Sequence, residues 1–426
     1  MLLPLICLIV AVEGVGWRLF DEAGVYSPAL PPALGMAPLG YLTVWGTYLF
    51  ILGILTTLCS RIPRWRHPAF VASLHLLSCG MYLWFLPGGQ WFPDYLWSRG
   101  LTWRFLWEMT TLAPYLAGEL LILRRPGWPP PHRPWLHCLR HLGFMLLPYL
   151  MGQLLYEGAC QLAGDALSWP PLSFPVSLAL MSIIVLLMPS AARLMIPTRP
   201  MEAGPLREMF SSQMSGLGIS FNNILLWNAG PTQANAAVLG MLPPLRFLLV
   251  TKPLLDAFDD EELRLILWHE LGHVFHRHLW IYYIFFMATG GASVLAYEAF
   301  SMHPTWWVSL GTILAWAMLF SFLSRNLERQ ADLFALSREK KRGDYARVLL
   351  KLSEVSGIPE GFRSLTHGSI RSRVMALESL GSSAHKAFRF HRRIRILVFA
   401  CLLLLAVETS WWLFHHAKEF MTIWAS

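Results

Sequence analysis

The chain has 426 residues, 55% of them apolar and 14% charged, with 20 Trp and 25 Phe. A soluble chain of this size carries about a quarter charged residues, so the composition argues against one large soluble core and fits a protein that crosses a membrane several times. The net charge of +8 comes from arginines in short loops and one polar region, a pattern of membrane topology and anionic lipid contact, with no nucleic-acid partner implied.

The opening run, MLLPLICLIVAV, is short and lacks a basic start, so it makes a poor signal peptide and leaves 1–17 as an uncertain span. Apolar stretches near 20 residues follow at about 38–59, 68–87, 101–123, 142–160, 172–190, 279–299, 305–323 and 393–414. Each is long enough to cross roughly 30 Å of hydrocarbon as a helix. PGWPPPHRP at 126–134 reads as a loop between spans. Cys7, Cys59, Cys79, Cys138, Cys160 and Cys401 are scattered with no CxxC pair, which gives neither a disulfide framework nor a thiolate metal site. Arg104 with Glu108, Glu119 and Glu157 lie in or near spans; a local ion pair with interfacial carboxylates and a hydrated chamber both account for them.

Loop charge alternates. RIPRWRH at 61–67 holds three arginines and 124–141 holds Arg124, Arg125, Arg133 and Arg140, whereas 88–100 and 161–171 share one. Basic loops stay cytoplasmic. Carried forward, the alternation puts the polar regions 191–278 and 324–392 on the cytoplasmic side and 300–304 and the C-terminus outside.

Residues 268–278 read WHELGHVFHRH. HELGH at 269–273 is an H-E-x-x-H pattern: on a helix, His269 and His273 face one way and can share a zinc ion, with Glu270 as general base toward a water. Asp259 and Glu262 have capping-box spacing and predict a helix start near 260, with Leu263, Ile266, Leu267 and Val274 as its apolar stripe. A catalytic zinc needs a third protein ligand, and the best candidate is Glu328 in SRNLERQAD at 324–332. The intervening 279–323 reads as an out-and-back membrane hairpin, which returns Glu328 to the side of the histidines. Asp332 follows one turn later on the same face, spaced to accept the second N–H of a ligand histidine. His276 and His278 read as residues of the membrane interface. A helix continued for six residues from His273 to the lipid entry near 279 puts the metal about 9 Å above the membrane surface.

HELGH followed by Ser324, Arg325, Glu328, Ala331 and Asp332 resembles the integral-membrane zinc metallopeptidases of the HtpX and type I CAAX prenyl endopeptidase family. The likeness runs from NAAVLGMLPPLRFLLVTKPLLDAFDDEEL at 235–263 to THGSIRSRVMAL at 366–377, where Gly368 stands in place of the family's usual proline after His367. It implies one zinc per chain on His269, His273 and Glu328, with Glu270 as the base. It also implies that Asn235 and Ala236 belong to an edge-strand region able to bind an extended peptide, though Asn235 reads equally as a hairpin turn residue. His367 or Arg373 would donate to the developing oxyanion; Arg373 reads more simply as a salt-bridge partner.

The fold expected is an all-α polytopic membrane protein with a mainly α-helical gluzincin-type metallopeptidase domain and a small β-hairpin or edge-strand element. Residues 1–190 form the N-terminal membrane region, 191–392 the peptidase domain interrupted by the hairpin at 279–323, and 393–426 the last span and tail. The expected activity is hydrolysis of peptide bonds in membrane proteins or lipidated peptides near the cytoplasmic surface, as in a bacterial inner membrane. Two other readings stand beside it: a sensor-transducer peptidase, for which the outside loops are short, and a membrane scaffold with a relic site, against which the ligands and base are all present.

Overall fold

A computed structural model describes residues 178–424, apart from 181, 190–192, 194–195, 229–232, 300–305, 342 and 364–365. The first four expected spans, residues 1–17 and the charges at 104, 108, 119 and 157 lie outside the described residues, and the fifth span is described only from 178.

A four-stranded mixed sheet comes first: β1 (Thr198–Pro200), β2 (Asn223–Trp227), β3 (Ala236–Leu239) and β4 (Phe247–Thr251), in the order β1-β2-β4-β3. β4 reads FLLVT and all five residues are buried, as suits a central strand covered on both faces. Leu248 and Val250 join the main core, while Phe247 and Leu249 pack with Leu225 on the other face. β3 pairs with β4 antiparallel, Ala236 opposite Val250. Gly240 shapes that hairpin at φ 99°, where a Cβ would stand 2.0 Å from the Leu245 carbonyl oxygen. β2 runs parallel to β4 and antiparallel to β1. The sheet is therefore larger than the hairpin expected from sequence. NILLW at 223–227 is too short for its periodicity to separate strand from helix, and its partner lies 24 residues away.

The helices follow: α1 (Pro205–Gly216), α2 (Lys252–Ala257), α3 (Asp260–Phe275), α4 (His278–Ala299), α5 (Trp306–Leu336), α6 (Asp344–Ser356), α7 (Ile370–Gly381) and α8 (Ala384–Trp424). The capping box forms at α3: Asp259 Oδ1 accepts from Glu262 N at 2.9 Å and Glu262 Oε2 from Asp259 N at 2.9 Å. Leu263, Ile266, Leu267 and Leu271 of α3 meet Phe210 and Met214 of α1, Phe334 of α5, Val348 and Leu349 of α6 and Leu377 of α7 in one core.

α3 does not run on into α4. It ends at Phe275, Arg277 adopts φ 57°, and α4 restarts at His278. The uninterrupted helix behind the 9 Å spacing is thus absent. α5, by contrast, is one 31-residue helix that carries both the returning apolar arm and Glu328. Its Leu314, Met318, Leu319 and Phe322 are exposed. α8 begins before residue 393, so the expected boundary at 392/393 falls inside a continuous helix. Among the described residues, Ala384–Ala417 is the one helix long and apolar enough to cross a membrane. Its Phe399, Leu403, Val407 and Phe414 are exposed.

Candidate metal centre

His269 and His273 sit one turn apart on α3, and their Nε2 atoms lie 3.2 Å apart. α5 crosses α3 closely at Gly272 and brings Glu328 between them, with Oε2 3.6 Å from His269 Nε2 and Oε1 3.6 Å from His273 Nε2. A tetrahedral zinc with ligand bonds of about 2.0–2.1 Å spaces its ligand atoms about 3.3 Å apart. Each histidine Nε2 lies near that distance from one of the two Glu328 oxygens and from the other Nε2, and with one ligand atom from each residue all three fall within 4.8 Å of one another. The buried Glu328 Oε2 also receives no hydrogen bond of acceptable geometry, even with His367 Nδ1 3.0 Å away. A divalent ion fits this donor set.

Asp332, nearly wholly buried, accepts at Oδ1 from His269 Nδ1 at 3.0 Å. The hydroxyl of Tyr345, on α6, donates to the same oxygen at 2.8 Å and lies 3.0 Å from His269 Nδ1. Arg373, buried on α7, grips Asp332 with two nitrogens, Nε to Oδ2 at 2.9 Å and Nη2 to Oδ1. Its Nη1 stands 3.8 Å from Glu328 Oε2. Three helices therefore hold His269 in the orientation that offers Nε2 to a metal.

Charge states follow from this packing. Burial alone would lower the His269 pKa, but the carboxylates of Asp332 and Glu328 facing its two ring nitrogens outweigh that and raise it to about 9. Burial pulls His273 down to about 3, so that ring is neutral. Burial works against ionised Asp332 and Glu328, yet Arg373 beside the first and the histidines around the second hold both well below the usual carboxylate range. Burial pushes the Glu270 carboxyl up to about 7, which suits a group that must take and release a proton near neutrality.

The structure brings His269, Glu270, His273, Glu328, Asp332, His367 and Arg373 to one place. Asn235 precedes and Ala236 opens edge strand β3, which packs on α3, the helix of the two histidines. Asn235 is tied to β4, its N–H donating to Thr251 Oγ1 at 2.8 Å and its carbonyl accepting from Thr251 N at 3.0 Å. Sequence reasoning did not pick out Tyr345, which no local pattern marks. His278, read from sequence as a residue of the membrane interface, is fully buried, with its Nδ1 2.8 Å from that of His273.

Residues 200–381 match the family model described as "Peptidase family M48". That segment holds every metal-site residue above. A crystal structure of S. mikatae Ste24p has a similar fold, with a TM-score of 0.52 at 15% identity over 88% of this chain and 99% of the other. No curated protein sequence matches the chain.

Proposed function

We propose that the protein is a membrane-embedded zinc endopeptidase that cuts extended segments of membrane proteins or lipidated peptides close to the cytoplasmic membrane surface. The observation that carries this reading is the spacing of His269, His273 and Glu328, 3.2 to 3.6 Å between ligand atoms on two crossing helices.

These three residues would hold the ion. When bound, zinc polarises the scissile carbonyl and makes a water more acidic. Glu270 takes the proton of the attacking water and passes it to the nitrogen of the leaving amine. Asp332, locked by Arg373 and Tyr345, keeps His269 pointed at the metal. His367, whose Nδ1 lies 3.0 Å from Glu328, would donate to the developing oxyanion; Arg373 serves Asp332 first. β3 pairs on one side only among the described residues; with Asn235 anchored to Thr251, the open edge from Ala236 onward is where an extended peptide would add a strand. The apolar surface of α5 and α8 supports a membrane setting, with the site on the cytoplasmic side by the loop-charge alternation.

The test uses Glu270→Gln protein purified from native membranes in detergent. It should retain zinc and trap uncut substrate, so mass spectrometry should show membrane proteins or lipid-modified peptides enriched over wild type. Nothing above background, together with no peptide hydrolysis by zinc-supplemented wild type, would favour the scaffold.

A further inference from the structure

We propose that His278 and Gln330 are positioning residues for the ligand His273, and that with His391 they form a one-directional hydrogen-bond chain from the metal position to α8. The proposal rests on the metal reading above.

A backbone feature makes the chain possible. In an uninterrupted helix, side chains five residues apart point about 140° away from each other, so His273 and His278 could not touch. Arg277 interrupts the helix with φ 57°, a conformation that costs a non-glycine residue about 1–2 kcal/mol. The resulting turn sets the Nδ1 atoms of the two rings 2.8 Å apart, with His278 0% exposed. Strain of this kind persists where the surroundings impose it, commonly at functional sites.

Each hydrogen bond needs one donor and one acceptor, so one assignment fixes the rest. His273 turns Nε2 toward His269 and Glu328. A metal there takes the Nε2 lone pair, which leaves the ring proton on Nδ1. That N–H donates to His278 Nδ1. A neutral His278 then carries its own proton on Nε2 and donates to Gln330 Oε1 at 3.1 Å. The Gln330 amide nitrogen donates to His391 Nδ1 at 2.8 Å. The amide stands in the orientation that the metal-bound tautomer demands. Flipped, it would put the His278 proton on Nδ1 and the His273 proton on Nε2, where the metal must bind. His276 packs along the chain, its ring 5.8 Å from that of His278 and 5.5 Å from that of His391. The two ligand histidines are thus supported differently, His269 by a carboxylate and His273 by a neutral imidazole–amide path that reaches the C-terminal helix.

The experiment measures zinc affinity by chelator competition on the full-length protein in detergent, with thermal unfolding of metal-free protein as the control for folding. His278→Leu should weaken zinc binding by about 10- to 100-fold, and Gln330→Met should act in the same direction. His278→Asn keeps an acceptor where Nδ1 was, and Gln330→Glu keeps an acceptor for the His278 Nε2–H; both should bind zinc close to wild type. A packing role alone predicts the reverse order, because buried leucine and methionine would be tolerated better than asparagine or glutamate. His278→Leu binding zinc as tightly as wild type, or His278→Asn no better than His278→Leu, would overturn the chain. If His278→Leu does not fold, the two Gln330 variants decide by the same comparison. A wild type that binds no zinc overturns the metal reading and the chain with it; a zinc-tight wild type with indifferent variants overturns the chain alone.

Discussion

Gly272 of α3 lies against Ala331 of α5: a Cβ at Gly272 would stand 3.1 Å from Ala331 Cα and 3.2 Å from Phe334 Cβ. The glycine inside the metal motif is therefore a packing residue, and the crossing it permits carries Glu328 to the histidines. Glycine within a helix costs about 1 kcal/mol relative to alanine, a cost offset here by the close approach. Gly272→Val should lower stability by about 1–3 kcal/mol and weaken zinc binding, because it pries apart the two ligand-bearing helices. Thermal unfolding with a zinc titration checks this; an unchanged variant would mean the helices have room to spare.

Asp332→Asn should weaken zinc by about 10- to 100-fold, the usual effect of losing a carboxylate behind a ligand histidine. It should also destabilise the fold, since Arg373 would keep a buried charge with half its partner gone. Tyr345→Phe removes only the hydroxyl that donates to Asp332 and should cost about 0.5–1.5 kcal/mol with a small effect on zinc. Equal effects from the two variants would displace Asp332 from its place behind His269.

Zinc affinity should fall with pH. His269 has its pKa raised to about 9, so at pH 7 the metal-free ring is protonated, and a metal must expel that proton to reach Nε2. One competing proton weakens apparent affinity about tenfold per pH unit below about 9. Calorimetry at pH 7 in buffers of different ionisation enthalpy should show about one proton released per zinc bound; no release and a flat pH profile would contradict the assignment.

Much of this site is legible in the sequence where its logic is local. The His269–His273 pair, the Glu328–Asp332 pair and the Asp259–Glu262 cap are all helical spacings of three or four residues, and the return of α5 follows from two apolar runs of span length. What escapes is tertiary. Tyr345 reaches His269 from a separate helix, and nothing around it marks the contact. The helix break at Arg277 occurs in HRH, with no glycine or proline to announce it, so the buried pairing of His278 with His273 stays hidden. β2 joins the sheet through a parallel partner far along the chain.

Topology can be checked without a substrate. Single cysteines placed within 343–360 should be shielded from a membrane-impermeant thiol reagent in intact cells, because loop charge puts that region inside. Cysteines at 417–426 should label. Shielding at both places would break the span count that returns Glu328 to the side of the histidines.

On the reading proposed above, His269, His273 and Glu328 hold one zinc while Glu270 works beside it without binding it. The most direct measurement is metal content by elemental analysis, paired with peptide hydrolysis, on purified wild type, Glu270→Gln and Glu328→Ala. Wild type and Glu270→Gln should each carry about one zinc per chain, with hydrolysis in wild type only, and Glu328→Ala should lose both zinc and hydrolysis. A zinc-free Glu270→Gln, a zinc-loaded Glu328→Ala, or hydrolysis that survives either substitution would contradict it.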